Sequence, residues 1–214
     1  MIISPGRNYI FVHIPKTGGT ALAQALEGRA MRDDLLIGDT PKARRRRARL
    51  QGVDTAGRLW KHSTLGDIDG LVSRAFVAGA FVVTLVRNPW DRMVSYYHWL
   101  RVQGFDHPAV HLARSVDFNG FLAAPLIGAS ITSNPYGSYT RDAAGQERCD
   151  LYIRIEHFAA DAAPLWDHLG FQLNLPVVNR SERRRDYRSY YGQEQAARVA
   201  EMCSEDVTRF GYSF

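Results

Sequence analysis

Residues 9–20 read YIFVHIPKTGGT, and the fold turns on how this stretch is parsed. Tyr9 to Ile14 is a short apolar run rich in β-formers, Pro15 follows it, and Gly18 and Gly19 open onto TALAQALEGRA, whose composition and spacing are helical. A strand, a turn and a helix are expected in that order. Residues 80–86, AFVVTLV, are apolar on both alternating faces, as a strand covered by helices on each side must be. That pattern predicts a strand in the middle of a parallel sheet. It runs into RNPWDRMVSYYHWL, where Asn88 before Pro89 marks a helix entry and Pro89 suits the first turn.

Working outward, VDFNGFLA (116–123) predicts a short helix and DLYIRI (150–155) a third strand. FAADAAPLWDHLG predicts a helix closed by Gly170, and a last helix is expected from about Gln193 to Phe210. Arg32 to Arg58, with Arg44, Arg45, Arg46, Arg47 and Arg49, reads either as a helix with a solvated face or as a surface loop. RLWKHST (58–64) reads as a brief strand or extended segment, and LGDIDGLVSRAF as a short helix opening after Ser63 or Thr64. Strands alternating with helices predict an α/β fold, three layers α/β/α about a mostly parallel central sheet. No repeat or linker interrupts the 214 residues, so a single domain over 1–214 is expected.

With 45% hydrophobic and 23% charged residues, the chain is no disordered tail, collagen or repeat array. Two cysteines, Cys149 and Cys203, exclude a disulfide framework and fit free thiols in a reducing compartment. No run of about 18 uncharged apolar residues occurs, and the opening leads into a strand and a glycine turn. A cytoplasmic protein without membrane insertion is the expectation. Basic residues outnumber acidic ones 27 to 22, and only Lys16, Lys42 and Lys61 are lysines. Arginine forks suit phosphate or sulfate oxygens, although a biased genome composition gives the same excess.

In open α/β sheets ligands sit beyond the carboxyl ends of strands, which directs attention to Pro15–Thr20. Two glycines let backbone N–H groups point inward, the helix start adds its positive end, and Lys16 supplies a mobile cation. Thr17 and Thr20 add hydroxyls, and together these predict an anion site. The turn is superficially similar to the nucleotide-binding pattern GxxxxGK(S/T), but the leading glycine is absent and the lysine precedes the glycines. A metal-dependent NTPase also offers a strand-end acid for Mg²⁺, whereas FVVTLV runs into Arg87. Neutralisation by protein cations, without a metal, is expected. Arg87 and Ser95, at a strand end and on the helix after it, are candidates for a second anionic group. The plain alternatives are a common Gly-Gly turn, an Arg87–Asp91 ion pair and an ordinary helix serine.

YIFVHIPKTGGTAL (9–22) followed by VVTLVRNPWDRMVSYYHW (82–99) closely resembles the paired signatures of sulfotransferases that use 3′-phosphoadenosine 5′-phosphosulfate (PAPS). The resemblance is to the branch of Golgi carbohydrate sulfotransferases and small bacterial relatives, the sulfotransferase family 2-like group. LYIRIEHF, VVNRSERRRDYRSYY and EDVTRFGYSF are similar to later blocks of that branch, so coverage runs over most of the chain. It implies a P-loop NTPase-like sulfotransferase fold. It further implies that Lys16, Thr17, Gly18, Gly19 and Thr20 hold the 5′-phosphosulfate and that Arg87 and Ser95 hold the 3′-phosphate. Arg180, Arg183, Arg184 and Arg185 would form a basic lid over the nucleotide, or else a solvated charge run.

An alcohol acceptor must lose a proton, and histidine is the first choice of base at neutral pH. His62 lies in WKHST, where several members of the branch carry a catalytic histidine. His13, His98 and Glu27 are the alternatives, and Lys16 is expected to stabilise the leaving phosphate. The acceptor is expected to be a carbohydrate or other hydroxylated small molecule, with an amine also open. Arg32–Arg58 and Gln103–Tyr139 are expected to shape its pocket; Phe105, Phe118, Phe121, Tyr136 and Tyr139 there either line it or simply pack. The competing classes are a non-enzymatic module binding phosphate or nucleic acid through its arginines, and a kinase-like NTPase. No recognition helix or stacking motif supports a nucleic-acid partner.

Overall fold

A computed structural model of the chain describes residues 1–176 and 183–214. The expected lid residue Arg180 lies outside the described residues. In chain order the strands and helices are β1 (Ile2–Ser4), β2 (Tyr9–Val12), α1 (Gly19–Gly28), β3 (Leu35–Leu36), α2 (Pro41–Arg46), α3 (Arg74–Gly79), β4 (Phe81–Val86), α4 (Pro89–Arg101), α5 (Pro108–Ser115), α6 (Phe118–Ala123), α7 (Pro125–Thr132), β5 (Leu151–Arg154), α8 (Phe158–Asp161), α9 (Ala163–Leu169), α10 (Gln193–Met202) and α11 (Ser204–Phe210). The chain divides into two compact units, Met1–Val86 with Tyr136–Val178 and Arg87–Pro135 with Asn179–Phe214.

The first unit is built on the sheet, in the order β3-β1-β2-β4-β5. β2, β4 and β5 run parallel, with Tyr9 opposite Phe81 and Val83 opposite Leu151. β1 is antiparallel to both β2 and β3, so four of the five strands share one direction. The sheet is α/β and mostly parallel, as expected. Its two faces separate residue by residue because side chains alternate along a strand. Tyr9, Phe11, Val83, Leu85 and Ile153 meet Leu22 and Leu26 of α1 and Leu165 and Leu169 of α9. Ile10, Val12 and Val82 meet Leu65, Ile68 and Val77. One sheet face is therefore covered by helices, the other by α3 and the turn-rich segment before it.

Three local expectations are corrected in this unit. Residues 58–64 form turns with no strand, because the Ser63 hydroxyl donates to the carbonyls of Arg58 and Trp60 at 2.9 Å each and folds the segment onto itself. The helix expected after Thr64 begins only at Arg74, where Ser73 caps it by accepting from the Phe76 N–H. The helix closed by Gly170 is two, α8 and α9, with Pro164 at the start of the second and Gly170 at φ 75 ending it.

The second unit is helical. Trp90, Met93, Val94, Tyr97 and Leu100 fall on one stripe of α4 and are buried with Phe118, Phe121, Ile127 and Val199. Asn88 caps the helix, its side chain accepting from Trp90 and Asp91 N–H groups and donating to Ser213 O at 3.1 Å. The single expected C-terminal helix is likewise divided, into α10 and α11.

Candidate active site

The first unit places the predicted anion turn directly after β2. Lys16 and Gly18 adopt left-handed φ of 67° and 86°, while Thr17 between them does not. Such alternation turns successive N–H groups toward one side of the chain, the backbone pattern of an anion nest. Left-handed φ at a lysine costs about 1–3 kcal/mol and marks a turn held by its surroundings. Those surroundings are tight: a Cβ on Gly18 would lie 2.0 Å from Ile155 Cδ1, and one on Gly19 would lie 2.4 Å from His13 Cδ2. A side chain at Gly18 would add backbone strain to that contact, and one at Gly19 would require the His13 ring to shift. Thr17 is fully buried and its hydroxyl donates to Ile14 O at 2.9 Å, so its side-chain proton closes the turn.

His62 stands beside this turn. Its Nδ1 is 2.7 Å from the main-chain oxygen of His13, and its ring meets the His13 ring edge to face at 4.7 Å. A carbonyl oxygen can only accept, so Nδ1 carries the proton and the neutral ring keeps its lone pair on Nε2. Burial, and secondarily the nearby Lys61 ammonium, pull the His62 pKa down to about 4 against the opposing pull of the His13 carbonyl. The ring is therefore neutral at physiological pH, with Nε2 available to take a proton. His13 is buried between Phe11, Gly19 and His62, and burial holds its pKa well below the usual value. It is a packing residue of the cradle.

Glu27 accepts from the Thr40 hydroxyl at 2.6 Å, and Thr40 in turn caps α2. His98 Nδ1 lies 2.9 Å from Val94 O one turn back on α4, and burial lowers its pKa.

In the second unit Arg87 meets Asp91 with Nε at 2.9 Å and Nη2 at 2.5 Å, and Arg183 Nη1 reaches the other Asp91 oxygen at 2.6 Å. The ion pair offered as the plain alternative for Arg87 is therefore present. Ser95 is buried two turns along α4. Arg184 lies over the Tyr190 ring at 4.3 Å, with its own N–H donating to the Tyr190 hydroxyl at 2.9 Å. The Asp91–Arg183 pair is not legible in the sequence, since nothing in the run RRR says which arginine turns back toward α4.

Of the expected acceptor-lining aromatics, Phe118, Phe121 and Tyr136 are buried in packing, whereas Phe105 is exposed. In the basic stretch, Arg46 donates to the carbonyls of Met31 and Asp34, and Arg49 to those of Arg32 and Asp34. These two arginines hold a loop, so the stretch is not simply an open basic surface. Among the described residues no three His, Cys, Asp or Glu side chains are grouped to hold a metal, and no helix is long and apolar enough to cross a membrane. Burial pushes both thiols, Cys149 and Cys203, up to about 12, which leaves them inert as nucleophiles.

The architecture is the P-loop-like α/β fold of sulfotransferases. One solved structure with that likeness is mouse sulfotransferase SULT7A1 complexed with PAP: it matches with a TM-score of 0.51 and 18% identity over 96% of this chain and 85% of that one. At such identity the likeness is one of fold. No family model and no curated protein matches the chain.

Proposed function

We propose that this chain is a sulfotransferase moving the sulfuryl group of PAPS to an acceptor hydroxyl, or to an amine, with residues 1–214 acting as one sulfotransferase domain. The observation that supports this reading is the Lys16–Gly19 turn, whose alternating backbone and two tightly packed glycines suit an anion at a strand end. Backbone N–H groups from Lys16 to Thr20 bind the 5′-phosphosulfate, Arg87 and Ser95 bind the 3′-phosphate, and Arg184 with Arg183 and Arg185 covers the nucleotide. The fold likeness to a sulfotransferase complexed with PAP supports that donor. The acceptor is a carbohydrate or similar hydroxylated metabolite, as in the Golgi carbohydrate branch, and the setting is cytoplasmic, which the two free cysteines support.

In the reaction the acceptor oxygen attacks sulfur while the bond from sulfur to the 5′-phosphate oxygen breaks, releasing adenosine 3′,5′-bisphosphate. The acceptor proton passes to His62 Nε2, and the His13 carbonyl steadies the imidazolium through Nδ1–H. Lys16 stabilises the charge on the departing phosphate, and losing one such donor typically lowers the rate about 10²–10³-fold. Positioning and charge stabilisation supply most of the acceleration, as in phosphoryl transfer.

Three variants test the roles. Lys16→Ala lowers turnover about 10²–10³-fold at saturating donor. Arg87→Ala mainly weakens adenosine 3′,5′-bisphosphate, and an unchanged affinity measured by calorimetry contradicts its role. His62→Ala lowers turnover about 10²–10⁴-fold; near wild-type turnover with tight donor binding removes it from the mechanism.

A further inference from the structure

At the end of the sheet away from the glycine turn, the first unit carries a basic face. Arg7 lies just before β2 and Arg29 just after α1, whereas the glycine turn follows β2 and precedes α1. The ten residues of α1 span about 15 Å, so the face stands about that far from the turn. Its side chains are joined by contact. The guanidiniums of Arg7 and Arg29 lie over the Phe171 ring at 5.4 and 4.7 Å. Met31, 41% exposed, sits against Gly6, where a Cβ would lie 2.8 Å from the Met31 sulfur.

The turn that presents Met31 is held in place. The Asp34 carboxylate accepts from the Met31 N–H at 2.8 Å, Arg46 donates to the carbonyls of Met31 and Asp34 at 2.7 and 3.3 Å, and Arg49 donates to those of Arg32 and Asp34. Arg46 and Arg49 each use one nitrogen, Nη1, for these bonds, and a carbonyl does not neutralise a guanidinium. Among the described residues, none of Arg7, Arg29, Arg32, Arg46 and Arg49 is ion-paired with an acid. Of the two acids in the turn, Asp34 is fully buried and Asp33 is exposed, so a surplus of positive charge faces solvent.

Three features select the partner. A face of one sign repels a second copy of itself. Its arginines come from three separate segments, before β2, after α1, and on α2 with Arg47–Leu50, instead of following one line as a strand of nucleic acid or polysaccharide would require. An apolar side chain exposed among them gains by entering the boundary beneath lipid headgroups, whose phosphate oxygens match the guanidinium fork. We propose that this face docks the chain on an anionic phospholipid bilayer, with the arginines on the headgroup phosphates and Met31 inserted between them. The glycine turn, at the other end of β2 and α1, stays clear of the lipid.

The test is co-sedimentation of the full chain with phosphatidylcholine vesicles, with and without an equal share of phosphatidylglycerol. The wild type is expected to bind the anionic vesicles at least tenfold more tightly, and less tightly as salt rises. Arg29→Gln combined with Arg32→Gln weakens that binding at least tenfold, at about fivefold for each surface cation. Arg101→Gln combined with Arg114→Gln removes the same charge from exposed positions of the second unit and stays within twofold of wild type. Met31→Ser weakens binding about threefold with the salt dependence unchanged; wild-type affinity in that variant overturns the insertion of Met31. Equal binding to both vesicle types, or equal loss in the two double variants, overturns the docking face. A duplex oligonucleotide bound more tightly than the anionic vesicles at equal phosphate concentration overturns the lipid as its partner.

Discussion

At the residue scale the cradle depends on two hydrogen atoms where other residues carry Cβ. Gly18→Ala adds a methyl 2.0 Å from Ile155 Cδ1 at a φ of 86°, so it is expected to destabilise the first unit by about 1–3 kcal/mol, read as a lower urea midpoint. Ile155→Val relieves the contact but not the backbone strain, and recovers only part of the loss. His62 gives a second prediction. Its pKa is lowered to about 4 in the folded state from the usual 6.5, so the unfolded chain binds more protons between those values. The stability tied to burying this neutral ring is present above pH 6.5 and is lost as pH falls toward 4. Denaturant midpoints should therefore decline across that window in the wild type and decline less in His62→Gln. The lowered carboxylates, Asp39 and Asp161 among them, act only below about their usual value of 3.8, outside the window. Turnover should also stay flat from pH 5 upward where His62 is the controlling group, with its acid limb near 4.

At the scale of elements, α4 carries Asp91 and Ser95, with Arg87 just before it paired to Asp91, and its entry is fixed by Asn88. Asn88→Ala removes acceptors for the Trp90 and Asp91 N–H groups and the donor to Ser213 O, and is expected to cost about 1–2 kcal/mol in thermal unfolding. A loss below about 0.3 kcal/mol contradicts the capping role. This helix is legible in the sequence, because Asn-Pro followed by Trp90, Met93, Val94, Tyr97 and Leu100 is an entry signal joined to a single apolar stripe. β4 is legible for a similar reason, being apolar on both faces. β1 and β3 are not: strands of three and two residues carry too little periodicity, and only pairing with β2 and with each other makes them strands. Residues 58–64 read as a brief strand or extended segment because the apolar Leu59 and Trp60 mimic one, while a single buried hydroxyl, that of Ser63, bends the chain.

At the scale of the whole molecule the α/β class and the glycine turn after β2 are readable because both are written in contiguous residues. The Arg87–Asp91 pair on α4's entry is local and readable, whereas the Arg183–Asp91 pair joins residues far apart in the chain, and no local pattern carries it. The same holds for His62: its type and place suggest a base, but its tautomer and its lowered pKa arise from the His13 carbonyl and from burial. The most direct measurement of the central claim is calorimetric titration of the chain with adenosine 3′,5′-bisphosphate in excess chelator. The account predicts saturable one-to-one binding, unchanged by Mg²⁺ and weakened at least tenfold by Arg87→Ala and by Lys16→Ala. No heat of binding from folded protein, or binding that appears only when Mg²⁺ is restored, contradicts it.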